Sequence, residues 1–371
     1  MNLLGVHLTL WLGRNEPSPA SVFVAEALQS VEVTHTDQGT SGFQLMFHIG
    51  RSSIIDLMDY RLLKNDDLKP FSRVILLVRF AIAPQVLMDG IITNQQLSPS
   101  NEPGASTFTV TGEDVSVMMD LEEKRRPFPA QSDNVIVAQL IAGYGQYGIA
   151  PFPLPTPVPY VRSPQEGTQH QPNYTDRAYI QELASRHGFV FYITPGPAPR
   201  VNRAYWGPPN RLDIPQSALS LNMGPNTNVD SINFRYNALA PNRIKFAVDR
   251  IDQIIEASNR SPLVSNRAEL RRTKILSEIG GLNSSPLSDR AQSMVNESLD
   301  EVVTANGELD ALRYNGLLQP RTLVDLRGAG RSYDGQYYVK SVTHRISKGM
   351  YKQSFTLTRE GTGSLTPFVR P

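Results

Sequence analysis

From Tyr351 to Thr358 apolar and polar side chains alternate, with Tyr351, Phe355 and Leu357 on one face and Lys352, Ser354, Thr356 and Thr358 on the other. Successive side chains of a strand point to opposite faces, so this spacing predicts a strand with one buried and one wet side. Thr107–Thr111 has the same rhythm, with Phe108 and Val110 as core candidates and Thr107, Thr109 and Thr111 facing lumen or solvent. Each strand closes a longer phrase. "LMDGIITNQQLSPSNEPGASTFTVTGED" (87–114) and "YDGQYYVKSVTHRISKGMYKQSFTLTREG" (333–361) both begin beside Asp-Gly, run into a β-rich segment, break at a turn and end on Phe-Thr-(Val or Leu)-Thr. Upstream, "GFQLMFHIG" and "SRVILLVRF" precede the first copy in the order in which "GELDALRYNG" and "RTLVDLRG" precede the second. Matching order across four elements predicts an internal duplication. Glycine reaches positive φ without a Cβ clash, so Gly90 and Gly335 are expected structural turns. The apolar positions change phase between Val339 and Val342, which predicts a bulge.

Between the copies the pattern changes. "SDNVIVAQLIAGY" (132–144) and the stretch from Thr175 to His187 each carry a capping residue and an apolar helical face, and the second ends at Gly188 before the strand-like "FVFYIT". A small α+β module is expected here. Its helices are separated by "PFPLPTPVPY", whose alternating prolines force an extended strap. A further helix is predicted over roughly 288–303, connecting parts of the second copy. The apolar start "MNLLGVHLTLWLG" has no basic flank and is too short to span a bilayer, so it is read as a buried strand with no membrane span.

Composition narrows the chemistry. The 371 residues, 40% of them hydrophobic, predict two or more domains. A net charge of +1 lacks the footprint of dedicated nucleic-acid binding, and zero cysteines exclude disulfides, thiolate catalysis and thiolate metal sites. The histidines (7, 35, 48, 170, 187 and 344) show no metal-ligand spacing, and neither a nucleophile elbow nor a phosphate loop is present. His187 and His344 are expected to be satisfied locally. Asp120, Glu122 and Glu123 sit beside Lys124, Arg125 and Arg126 and read as a solvated, self-compensating cluster rather than a hydrolytic pair. Arg267, Arg271, Arg272 and Lys274 read as an exposed helix face or subunit contact, and Trp11 and Trp206 as core or interface. No catalytic residue, cofactor or metal is assigned.

Taken together, "MDGIIT", "FTVTGEDVS", "NYTDRAYIQELASRHGFVFYI", "SINFRYNALAPNRIKFAVD" and the 333–361 phrase resemble the phage late control protein D family over nearly the whole chain. The most specific matches are the Thr175-Asp176 helix with Arg186-His187-Gly188-Phe189 and the segment from Asp334-Gly335 to Arg359. The resemblance implies a β-rich α+β fold of two tail-tube-like β-barrel domains with an inserted small α/β module and a connecting helix. The expected boundaries are 1–122 for the first barrel, 123–202 for the module, 203–255 and 304–362 for the second barrel, 256–303 for the connector and 363–371 for a tail. The family supplies the central hub of contractile phage tails and injection baseplates, and is related to the hub part of type VI secretion spike proteins. It implies a non-catalytic homotrimer, assembled in the bacterial cytoplasm, that adapts a threefold spike to a sixfold inner tube and contacts other baseplate proteins.

Only twelve residues follow Arg359, without an oligonucleotide-type barrel or a β-helix repeat, so a separate trimeric spike protein is expected. Phe152, Leu154, Val158 and Tyr160 of the strap are the spike-contact candidates. A tail-associated cell-wall hydrolase and a trimeric receptor-binding tail component remain as alternatives, as do a phage tail and an injection particle as the host assembly.

Overall fold

The computed structural model describes all residues except 1, 4–5, 15, 38, 51–59, 81–82, 103–104, 157–167, 249–250, 277–283 and 366–371. The first part of the chain supplies β1 (Val6–Gly13), β2 (Leu28–Thr36), β3 (Gly42–His48), β4 (Arg73–Phe80), β5 (Ala83–Ser98) and β6 (Thr107–Asp114). A middle segment follows with α1 (Asp133–Ala142), β7 (Ile149–Pro153), α2 (Asp176–His187), β8 (Val190–Pro195) and β9 (Asn202–Gly207). Next come β10 (Gln216–Ser220), β11 (Val229–Tyr236), the small sheet of β12 (Asn242–Val248), β13 (Ile251–Ile255) and β14 (Arg272–Ile275), and the helix α3 (Ser284–Asp300). The chain closes with β15 (Val303–Asp310), β16 (Leu323–Arg327), β17 (Gly335–Ser347) and β18 (Met350–Arg359).

Among the described residues β7–β9 form a separate three-stranded sheet, as β12–β14 do, while β1–β6, β10, β11 and β15–β18, with two two-residue strands at 2–3 and 18–19, build one 14-stranded, mainly antiparallel sheet. In its first half the order is β4-β5-β6-β3-β2, and in its second β16-β17-β18-β15-β11. The order is the same twice over: the strand that carries the Gly of the Asp-Gly pairs its predecessor on one side and its hairpin partner on the other, and the remaining two strands follow. Register shifts fall between Ile92 and Asn94 in β5 and between Val339 and Ser341 in β17, so each copy carries an irregularity a few residues past the Asp-Gly, and β5 carries another at Leu87 against β4. Val339 and Val342 flank the second shift and enter one core, which is what an extra residue in a strand permits. Glycine and aromatic ring face each other across both copies with the strands exchanged: Phe43 of β3 opposes Gly112 of β6, and Gly307 of β15 opposes Phe355 of β18. A Cβ on Gly112 or Gly307 would stand 2.5 Å from the facing ring, so each ring occupies the space its glycine leaves empty.

Three large apolar cores result among the described residues, with a small fourth cluster of Leu263, Leu323 and Tyr338. The first contains Leu45, Phe47, Phe108 and Val110, the second Leu219, Val295, Phe355 and Leu357, and the third Ile136, Tyr179, Leu183 and Trp206 of the middle segment. Tyr351 lies in the first core although its strand belongs to the second half, and stacks on Phe80 with ring centroids 5.7 Å apart. Helix α2 follows its sequence signals: the Thr175 hydroxyl accepts from Ala178 N–H, and Gly188 closes the helix at φ +66°.

Several expectations need correction. Gly90 is no turn. It lies inside the 16-residue β5, where a Cβ would sit 2.4 Å from the Glu113 carbonyl oxygen, so close strand approach and not positive φ demands glycine. Gly335 does take a positive φ, +113°, at the first residue of β17. Thr358 is buried rather than wet, because Leu263 packs with Leu323 and Tyr338 over that end of the outer face. Arg272 and Lys274 lie on strand β14, and Arg267 on a two-residue strand, where a helix face was expected.

Candidate functional site

With no ligand chemistry pointed to by the sequence, the functional features are the joints between the three cores and the edges left open. The halves meet where β2 pairs antiparallel with β17, from Ser30↔Ser347 to Thr36↔Ser341. One end of β17 bonds β16 and the other bonds β2, so a single strand belongs to both halves. Across this joint the Thr34 and Thr343 hydroxyls are 3.0 Å apart and Arg345 donates to Glu32 at 3.0 Å.

Arg321 ties all three parts together. It is 5% exposed and donates to the Thr36 carbonyl (2.9 and 2.7 Å) and the Ser41 hydroxyl (2.9 Å) of the first half and to the Ile193 carbonyl (3.2 Å) of the middle segment. Its guanidinium lies 3.9 Å from the centre of the Tyr192 ring. Tyr192 stacks on Tyr205, Tyr205 on Phe152, and Arg203 caps Phe152 at 3.4 Å, so a continuous stack runs from the surface to the joint. Beside this joint the Asp37 carboxyl is pushed up to about 6 by burial, against the pull of Lys340 and Arg321.

A second clamp fixes the middle segment to the first half. Arg73 and Asp89 form a two-pronged pair at 2.6 and 2.7 Å; Asn202 donates to Asp89 at 3.0 Å and Arg73 to the Tyr147 carbonyl at 2.8 Å. Asp89 is the acidic member of the first Asp-Gly. Its counterpart Asp334 instead accepts from Ala329 N–H at 2.7 Å, while Arg359 donates to the Asp334 and Ser332 carbonyls. The sequence signal for the Arg73–Asp89 clamp was present, a charge within each of two apolar runs, but the turn reading of Asp-Gly passed over it. Arg321 carried no comparable signal.

Of the spike-contact candidates, Phe152 is 40% exposed on β7, which pairs with β9. Leu154 is half-buried, its N–H donating to the Trp206 carbonyl at 2.8 Å. Val158 and Tyr160 lie outside the described residues. Phe108, Val110, Tyr351, Phe355 and Leu357 are all buried. His187 Nε2 stands 2.9 Å from Asp133 Oδ2, and Trp206 is fully buried whereas Trp11 is half-buried. The acidic cluster is less solvated than expected, since Lys124 turns inward to Asp176 (2.8 Å) and Asp120 accepts from Thr175 and Arg177. Among the described residues no group of three or more His, Asp or Glu side chains is placed to hold a metal, and no helix is long and apolar enough to cross a membrane.

Among the described residues several edges of the large sheet are open, β10 among them because it pairs only with β16, and two bear on the repeat. β11 pairs only with β15, and the end of β5, residues 94–98, pairs only with β6. These are the duplicates of the two edges that meet inside the chain, since β11 corresponds to β2 and β5 to β17.

The arrangement is one already seen in solved structures. The fold matches a tail protein from Neisseria meningitidis MC58 (TM-score 0.66, 13% identity, 96% of this chain and 97% of that one). It also matches the 43 kDa tail protein of prophage MuSo2 from Shewanella oneidensis (TM-score 0.68, 12% identity, 96% and 98% covered). A third match, at TM-score 0.57 and 12% identity over 93% of this chain and 78% of that one, is an E. coli component of the type VI secretion system, itself structurally similar to the T4 bacteriophage tail proteins gp27 and gp5. No protein-family model matches the sequence, and no curated protein matches it. The chain thus has the fold of these phage tail and type VI secretion proteins, in agreement with the motif resemblance.

Proposed function

We propose that the chain is the structural, non-catalytic hub of a contractile injection baseplate, a homotrimer that joins a threefold spike to a sixfold inner tube. The carrying observation is the doubled strand order, with one pair of equivalent edges joined inside the chain and the other pair left open. Unpaired strand edges are templates for another strand. A ring follows if β11 of one copy meets residues 94–98 of the next, just as β2 meets β17 within each copy. Three chains then present six related units, and a heterologous contact that closes on itself makes a ring rather than a filament. Each half is read as one tube-like barrel, with the middle segment as an inserted module.

In this reading the ring stacks on the first hexamer of tube protein. The opposite end, to which the Phe152 platform contributes, holds a separate trimeric spike, and other baseplate proteins surround the trimer. Assembly takes place in the bacterial cytoplasm. Electron microscopy of particles from cells lacking the chain should show no baseplate-attached tubes, and intact tubes and spikes would overturn the proposal. In the same experiment, deletion of residues 152–160 should leave the tube and remove the spike. Normal spikes would return the strap to a local structural role.

A further inference from the structure

His35 and His344 occupy core-facing positions on the two strands that join the halves, His35 on β2 and His344 on β17. Their rings stand edge to face, 6.0 Å apart. Neither has a charged hydrogen-bond partner: His35 Nε2–H donates to the Leu87 carbonyl at 2.8 Å, and the Tyr351 hydroxyl donates to His344 Nδ1 at 3.1 Å, roles assigned from those partners. Both rings line a cavity of about 430 Å³ bounded by Pro84–Leu87, Tyr192, Thr194–Pro197 and Leu317–Thr322. A water occupies about 30 Å³ of liquid, so the cavity has room for solvent and protons to reach the rings without global unfolding. Arg321 forms part of the same wall and adds a fixed positive charge.

We propose that this joint is an acid-sensitive hinge, in which protonation of the His35–His344 pair loosens β2 from β17 and frees the two halves to move. Two imidazolium ions 6 Å apart beside a guanidinium repel one another, and the strand pairing between the halves is the structure that holds them there.

The direction of the pH dependence follows from the groups around the joint. Burial, helped by Arg321, lowers His35 to about 4, and burial, helped by His35, holds His344 well below the usual imidazole range. A base depressed in the fold contributes stability that is intact above its unfolded value near 6.5 and is lost as pH falls toward the folded value. Asp37, raised to about 6, runs the opposite way: its burial cost at neutral pH is relieved as it takes up a proton. The remaining groups facing the joint are the Tyr192, Tyr338 and Tyr351 phenols, Lys340 beside Asp37, and Asp114, whose carboxyl burial also raises. Asp114 adds to Asp37 in the opposing direction, but neither carboxyl touches the imidazole pair, so the local effect at the rings is repulsion on acidification.

Hydrogen exchange on the full chain tests this. Protection factors for residues 30–36 and 341–347 should fall at least about tenfold between pH 7 and pH 4.5 relative to those of α2, and should hold steady in a His35→Gln/His344→Gln variant. Protection that is flat in the wild-type chain, or that falls equally in the variant, overturns the hinge. Should the double variant fail to fold, imidazole NMR titration of the wild-type chain decides: ring protonation coincident with loss of protection supports the proposal, and loss while both rings remain neutral refutes it.

Discussion

Replacing Arg321 with Met should lower stability by about 3–5 kcal/mol and split unfolding into more than one transition. The guanidinium serves three parts of the chain at once, and its removal leaves the Thr36 and Ile193 carbonyls and the Ser41 hydroxyl without their charged donor. Each buried polar group stripped of its partner costs about 1–3 kcal/mol. Met retains the aliphatic stem and, like Arg321, has a Cβ, so the left-handed backbone at φ +66° is equally strained in both proteins. The substitution therefore isolates the hydrogen bonds. Urea denaturation followed by tryptophan fluorescence reads the middle segment through Trp206 and the first half through Trp11. Coincident, unshifted transitions would show that the three cores are held together by something other than this side chain.

A loss of similar size is expected from Asp89→Asn. Arg73 and Asp89 are 5% and 1% exposed, so neutralising the carboxylate strands a buried guanidinium. Breaking a buried pair from one side costs about 3–5 kcal/mol, whereas replacing both members with apolar residues is often neutral. Arg73→Met with Asp89→Leu should accordingly recover most of what Asp89→Asn loses in a denaturant titration. A double variant as unstable as the single one would mean that Asp89 acts chiefly through Asn202 and the docking of the middle segment.

The contrast between these two sites and the rest of the chain shows what the sequence makes legible. The duplication was readable because strand alternation and a shared closing tetrapeptide are local patterns, and the helix from Thr175 to Gly188 because both of its caps are single residues with a fixed role. The phase change at Val339–Val342 marked a real register shift for the same reason. Gly90 misled because Asp-Gly has two physical causes, positive φ and close approach, and only the strand packed against it distinguishes them. Thr358 and the basic run at 267–274 depended on which remote segment covers them or pairs with them. Arg321 was invisible because its partners lie at residues 36, 41 and 193, separations over which a one-dimensional pattern carries no signal.

The central claim is that the chain closes its own repeat into a ring of three. The absence of cysteine makes it directly testable, because introduced thiols have no competitors on the chain itself. Gln96→Cys and Asn233→Cys place one thiol on each of the two edges proposed to meet, both at exposed positions of β5 and β11. Treatment of assembled baseplates carrying both substitutions with a short bismaleimide, followed by denaturing mass analysis, should give covalently closed trimers, and either single variant should give none. Uncrosslinked chains, crosslinks within one chain, or a ladder extending beyond three copies would contradict the account.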